Sequence, residues 1–118
     1  MQNYRDLKVW QKAHEFVKEV YSVTKNFPSD EKFGITSQLR RASVSIPTNI
    51  AEGSAQTTDP QFARFLGIAY ASAVECEYLI FLSLDLSYIS KVEPDSNGIV
   101  FKINEIKRML TAFMEKVR

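Results

Sequence analysis

The sequence predicts an all-α protein, an antiparallel up-down-up-down four-helix bundle formed by a single domain over residues 1–118. Three observations lead there. Apolar residues recur at three- and four-residue steps in four separate segments. Three turn signals divide those segments, and short turns place sequence neighbours antiparallel. Only four glycines and four prolines interrupt the chain, which leaves room for long regular elements. No strand-like alternation, internal repeat or low-complexity stretch competes with this reading.

The first helix carries Val9, Ala13, Phe16, Val17, Val20, Tyr21 and Thr24 on one stripe. Asn3 is placed to cap its start, with Asp6 three residues on. Phe27-Pro28-Ser29-Asp30 ends it, because the residue before a proline is pushed out of helical geometry. The second helix spans about Ile35 to Ala55, with Leu39, Ala42, Ser43, Ile46 and Ile50 in step. Pro47 lies inside this pattern. It lacks an N–H and its ring presses on the carbonyl of Ser43, so a kink is expected there.

Thr58, Asp59, Pro60 and Gln61 form a capping box and first turn for the third helix. From there the chain runs to Ser90 without proline and with one glycine, Gly67. That is about 45 Å of helix. Tyr78 to Leu86 is apolar nearly all round, so the helix needs neighbours on more than one side. Either it is the central core helix or it feeds a further interface, most simply self-association as a ring or dimer. Val92 to Gly98 forms the last turn, and Ile99, Ile103, Ile106, Leu110, Phe113 and Val117 make the stripe of the fourth helix.

Composition narrows the function classes. With 45% hydrophobic and 25% charged residues the chain can bury a core. A net charge of +1 excludes a strongly basic tail-like nucleic-acid binder, though not a local basic patch. One cysteine (Cys76) excludes an internal disulfide, and one histidine (His14) excludes a metal site needing two imidazoles. The N-terminus has no apolar stretch of the signal-peptide kind, and Arg64, Glu75, Glu77 and Asp85 interrupt the most apolar region. A soluble, cytoplasmic protein with no membrane partner is expected. Charge is uneven along the chain: residues 57–90 carry one base and four acids, while residues 1–27 carry five bases and three acids.

Catalysis finds little support. A nucleophilic pair would have to be Cys76 with His14, and neither has a flanking acid or an oxyanion-hole loop. His14 reads as a surface residue. Cys76 sits between Glu75 and Glu77, which disfavour its thiolate. There is no glycine-rich phosphate loop, no aromatic-rich basic RNA motif and no Glu-x-x-His metal pair. No enzyme, no cofactor and no metal are expected.

The informative stretch is Gln38 to Gly53. At about 100° per residue, Gln38, Arg41, Ser45, Thr48, Asn49 and Glu52 share one quadrant, opposite the apolar stripe. This polar ridge is either a hydrogen-bonded seam to another helix or a ligand surface around Pro47. In the seam reading Arg41 pairs with Glu52, or with Glu75 or Glu77 of the third helix.

Trp10-Gln11-Lys12-Ala13, Phe27-Pro28 with Glu31, Gln38-Leu39-Arg40-Arg41-Ala42 and Ser45-Ile46-Pro47 leading into Asn49-Ile50-Ala51-Glu52-Gly53 stand in one order along the chain. In these motifs, and in Phe65-Leu66, Ile68-Ala69 and Glu75, the sequence resembles the bacterial four-helix-bundle family encoded in intervening sequences of 23S ribosomal RNA genes. It is also similar to the accessory variability determinant of diversity-generating retroelements, a pentameric ring that works with nucleic acid. The resemblance implies a four-helix bundle, a homopentamer and nucleic-acid binding, and no catalytic residues. Ser45, Pro47, Asn49, Glu52 and Gly53 then make up its structural motif. Two departures stand out. Ser54-Ala55 replaces a Gly-Arg pair common after Glu52-Gly53, which removes a cation, and Ala71-Ser72 replaces Gly-Ser.

Two functions follow as expectations. One is a ring-forming accessory protein that binds RNA or DNA by phosphate contacts from Arg40, Arg41, Lys12, Lys18, Lys107 and Arg108. Arg40 is the safer contact if Arg41 turns inward. The other is an oligomeric scaffold for a protein partner, with charge serving only subunit pairing.

Overall fold

The computed structural model describes residues 3–90 and 98–118. It contains four helices, α1 (Lys8–Thr24), α2 (Ile35–Ser54), α3 (Asp59–Asp85) and α4 (Ile99–Val117). The predicted turn at Val92–Gly98 lies outside the described residues up to position 97. Gly98 stands at the head of α4.

Asn3 caps a different element from the one expected. Its Oδ1 accepts from the Arg5 N–H at 3.1 Å and closes a 3-10 turn over Tyr4–Asp6. Leu7 is extended and separates that turn from α1. Gln11 Nε2 donates to the Arg5 carbonyl at 2.8 Å and ties the turn onto the helix.

α2 receives its cap from a distance. The Glu31 carboxylate accepts from the Ile35 N–H at 3.2 Å and satisfies one of the free donors of the first turn. Pro47 is buried inside α2, which continues past it to Ser54. Beside the carbonyl of Ser43, which loses its donor to the proline, side chains add bonds to the next two carbonyls. Thr48 Oγ1 reaches the Val44 carbonyl and Asn49 Nδ2 the Ser45 carbonyl, both at 2.8 Å.

Thr58 caps α3 as predicted, its Oγ1 accepting from the Gln61 N–H at 3.3 Å. The helix stops at Asp85 rather than Ser90. Ser87 takes a left-handed backbone (φ 63°), and the N–H groups of Tyr88 and Ile89 turn back to the Ser83 carbonyl. This reversal lays Tyr88 on Phe27 with ring centres 5.4 Å apart, and its hydroxyl donates to Glu31 at 2.9 Å. Glu31 therefore fastens both the head of α2 and the tail of α3. Accepting that bond also raises the Tyr88 pKa, because it holds the phenolic proton in place.

Each helix packs on two others, α1 on α2 and α4, and α3 on α2 and α4, while the α1 and α3 backbones stand diagonally apart across the shared core. The helices thus occupy the corners of a square, antiparallel to their neighbours. The stripes named above meet inside, where Phe16, Leu39, Ile46, Ile50, Leu66, Ile80, Ile103, Ile106 and Leu110 are all but inaccessible. Burying such side chains stabilises by about 1.5–3 kcal/mol each. By length and composition α3 is apolar enough to cross a membrane, and in the fold it packs against both α2 and α4. Its outward face is not covered: Ile68 and Val74 are exposed, and Tyr78 and Phe81 are 60% and 61% accessible.

Candidate nucleic-acid interface

The polar ridge on α2 divides. Ser45, Asn49 and Gly53, at successive four-residue steps, form a seam with α3. The hydroxyls of Ser45 and Ser72 meet at 2.8 Å, and Asn49 Nδ2 donates to Ser45 Oγ at 3.0 Å. One turn on, a Cβ added to Gly53 would sit 2.8 Å from the Phe65 Cβ and 2.9 Å from the Phe62 ring, so only glycine lets the helices approach this closely. Gln38, Arg41, Thr48 and Glu52 remain exposed.

The two arginines exchange their expected parts. Arg40 is half-buried against α1: its Nε donates to Thr24 Oγ1 at 2.8 Å, and its guanidinium lies 4.6 Å above the Tyr21 ring. Arg41, about 100° round the helix, is exposed and pairs with none of the acids named for it. Glu52 is eleven residues away, about 16 Å along the axis and out of reach. Glu77 is taken by Lys107 at 2.9 Å.

The other predicted cations are spread over two helices. Lys12 meets Glu105 of α4 at 3.4 Å, and Lys18 meets Glu15 of its own helix at 3.5 Å. Lys102 pairs with Glu19, which adds a second ion pair between α1 and α4. Arg108 is exposed and lines a groove with Tyr70 of α3. Arg41 precedes Ser45 by one turn on the α3 side of α2. Arg41 and Arg108 therefore flank the uncovered face of α3 from opposite sides.

Cys76 and His14 are not brought together, since Cys76 is buried on α3 and His14 is exposed on the diagonally placed α1. Burial, and then the Glu75 charge, push the Cys76 thiol up to about 12. Among the described residues no three of His, Cys, Asp and Glu converge as metal ligands.

One arrangement was not read from the sequence. The Trp10 and His14 rings stack in parallel, 5.0 Å apart at 7°. Tyr4 meets Trp10 edge-on at 5.0 Å, and Arg5 lies 5.5 Å above the Tyr4 ring. The four-residue spacing of Trp10 and His14 was the available signal.

Fold and surface together define a small antiparallel helical bundle whose open chemistry is arginine, aromatic ring and apolar helix face. The chain belongs to the 23S rRNA-intervening sequence protein family, whose model matches residues 5–112. It is similar to a crystal structure of a protein with unknown function from the S23 ribosomal protein family of Bacteroides thetaiotaomicron VPI-5482. The two share 27% identity with a TM-score of 0.78, over 91% of this chain and 98% of the other. A search of curated proteins finds no match.

Proposed function

We propose that this protein is a non-enzymatic, ring-forming oligomeric accessory protein of the cytoplasm that binds nucleic acid, RNA foremost, through phosphate contacts. One observation carries the reading: Arg41 and Arg108 stand exposed on either flank of the uncovered apolar face of α3. An apolar face of this kind favours self-association. Closing copies over it gathers arginines of neighbouring subunits along the seam, so a chain of net charge +1 acquires a locally positive surface. Guanidinium forks suit phosphate oxygens. The family name, which refers to ribosomal RNA genes, agrees with a nucleic-acid ligand.

The test is a salt titration of binding to structured RNA, duplex DNA and single strands, alongside light scattering of Phe81→Glu. The log–log slope should be about −0.7 to −0.9 for each phosphate neutralised. Arg41→Ala should lower it by about one such step, and Phe81→Glu should dissociate the oligomer. Absent or salt-insensitive binding near physiological salt overturns the reading in favour of the scaffold. The scaffold has its own supporting observation, since Lys12 and Lys107 are spent on Glu105 and Glu77 within the chain.

A further inference from the structure

The face of the bundle opposite α3 carries a second pattern. Trp10, His14 and Tyr21 are four and seven residues apart, which places them within about 40° of one another on α1, along about 16 Å of helix. All three lie on the flank that faces α2, away from the ion pairs to α4. Their exposure is not that of core residues: Trp10 is half-buried, His14 is exposed and Tyr21 is 41% accessible. The row is bounded by cations placed over rings. Arg40 lies over Tyr21 and Arg5 over Tyr4, with Tyr4 edge-on to Trp10.

Packing alone accounts for the inner side of Trp10, but not for a parallel stack that continues outward onto an exposed imidazole. The Trp10–His14 stack runs from a half-buried indole to an exposed imidazole. A guanidinium over a ring keeps N–H donors free for phosphate oxygens. The surrounding segment, residues 1–27, carries five bases against three acids. Of those acids, Glu15 and Glu19 are already paired, with Lys18 and Lys102. Successive ring faces bordered by cations are the chemistry that holds unpaired bases and their phosphates. A duplex keeps its bases stacked on each other and cannot use such a row.

We infer that the Trp10–His14–Tyr21 face of α1, with Arg5 and Arg40, is a stacking platform for single-stranded nucleic acid. The inference rests on the nucleic-acid reading above and names its face and its ligand form. Trp10 is the only tryptophan in the chain, so its emission reports directly on this surface. The experiment titrates the full-length protein with a twelve-residue oligouridylate, its DNA equivalent and a duplex of the same length. Trp10 fluorescence is followed together with anisotropy of the labelled strand, at several salt concentrations.

Saturable quenching by both single strands, with the midpoint given by anisotropy, is the expected result; tighter RNA binding would add a 2′-hydroxyl contact. His14→Ala and Tyr21→Ala should each weaken single-strand binding about five- to a hundredfold, the range for one lost base–aromatic stack. The salt slope should not change, because a stacking side chain neutralises no phosphate. Trp10→Phe, which keeps an aromatic ring, should retain binding by anisotropy. His14→Ala falls on an exposed side chain and should leave the thermal midpoint unchanged, whereas Tyr21→Ala also frees Arg40 from its ring and should lower the midpoint slightly without unfolding the protein. Salt-dependent binding with silent Trp10 emission and neutral His14→Ala overturns the platform and leaves the proposed function standing. Binding to no nucleic acid overturns both.

Discussion

The two seams α2–α3 and α1–α4 join antiparallel helices of the same bundle by opposite means. Between α2 and α3 the contacts are small: a hydroxyl on a hydroxyl at 2.8 Å, an asparagine bracing it, and a glycine with no room for a methyl group. Between α1 and α4 the visible ties are long and charged, Lys12 to Glu105 and Glu19 to Lys102, beside a groove that also contains Phe101. A close seam depends on shape and resists any added volume. A charged seam lies near water, and its energy is screened. The difference teaches that stability and register reside on the α2–α3 side, while the α1–α4 side can change its surface chemistry at low cost.

Substitution can break this contrast in order of size. Gly53→Val should be the most damaging change, since its side chain would collide with the Phe65 Cβ and the Phe62 ring. Overpacking of this kind costs about 1–3 kcal/mol, read as a lower urea midpoint with an unchanged slope. A midpoint equal to that of the native protein would remove the close seam from the account. Next comes Ser45→Ala, which takes away the partner of Ser72 and one acceptor of Asn49. The loss should be about 0.5–1.5 kcal/mol, and a double-mutant cycle with Ser72→Ala should show coupling. The smallest effect belongs to Lys12→Gln. Its ion pair with Glu105 leaves the lysine side chain 49% exposed, so the change should stay below about 1 kcal/mol and vanish in high salt. A larger, salt-resistant loss would mean that the charged seam also sets the bundle.

Much of the fold was legible because periodicity reports on burial. The stripes of α1, α2 and α4 and the Thr58 cap appear in the structure where the sequence places them, except for Tyr21, which was read into the α1 stripe and is exposed. The end of α3 was not legible. Nothing in Leu86-Ser87-Tyr88 forbids helix, and the stop comes from tertiary contacts, Tyr88 with Phe27 and Glu31. Asn3 was read as the cap of α1 because sequence alone does not separate a 3-10 turn from the helix that follows it. The site was less legible than the fold. Arg40 and Arg41 are neighbours in sequence, and which of them faces α1 depends on Thr24 and Tyr21, sixteen and nineteen residues upstream. The stacked Trp10–His14 pair had a spacing signal. The tyrosine–arginine contact that extends the row had none, because it joins two helices.

The diagonal placement of α1 and α3 has a consequence for affinity. In the proposed assembly closed through α3, every α1 would lie on the side away from the seam, and the copies would repeat the proposed α1 site at fixed spacing. A strand held by one copy would then meet the next at a high effective concentration, so overall binding would grow by avidity without a strong contact in any single subunit. Strand length, more than sequence, would then govern retention: short oligonucleotides would escape quickly, and those long enough to reach the next copy would stay.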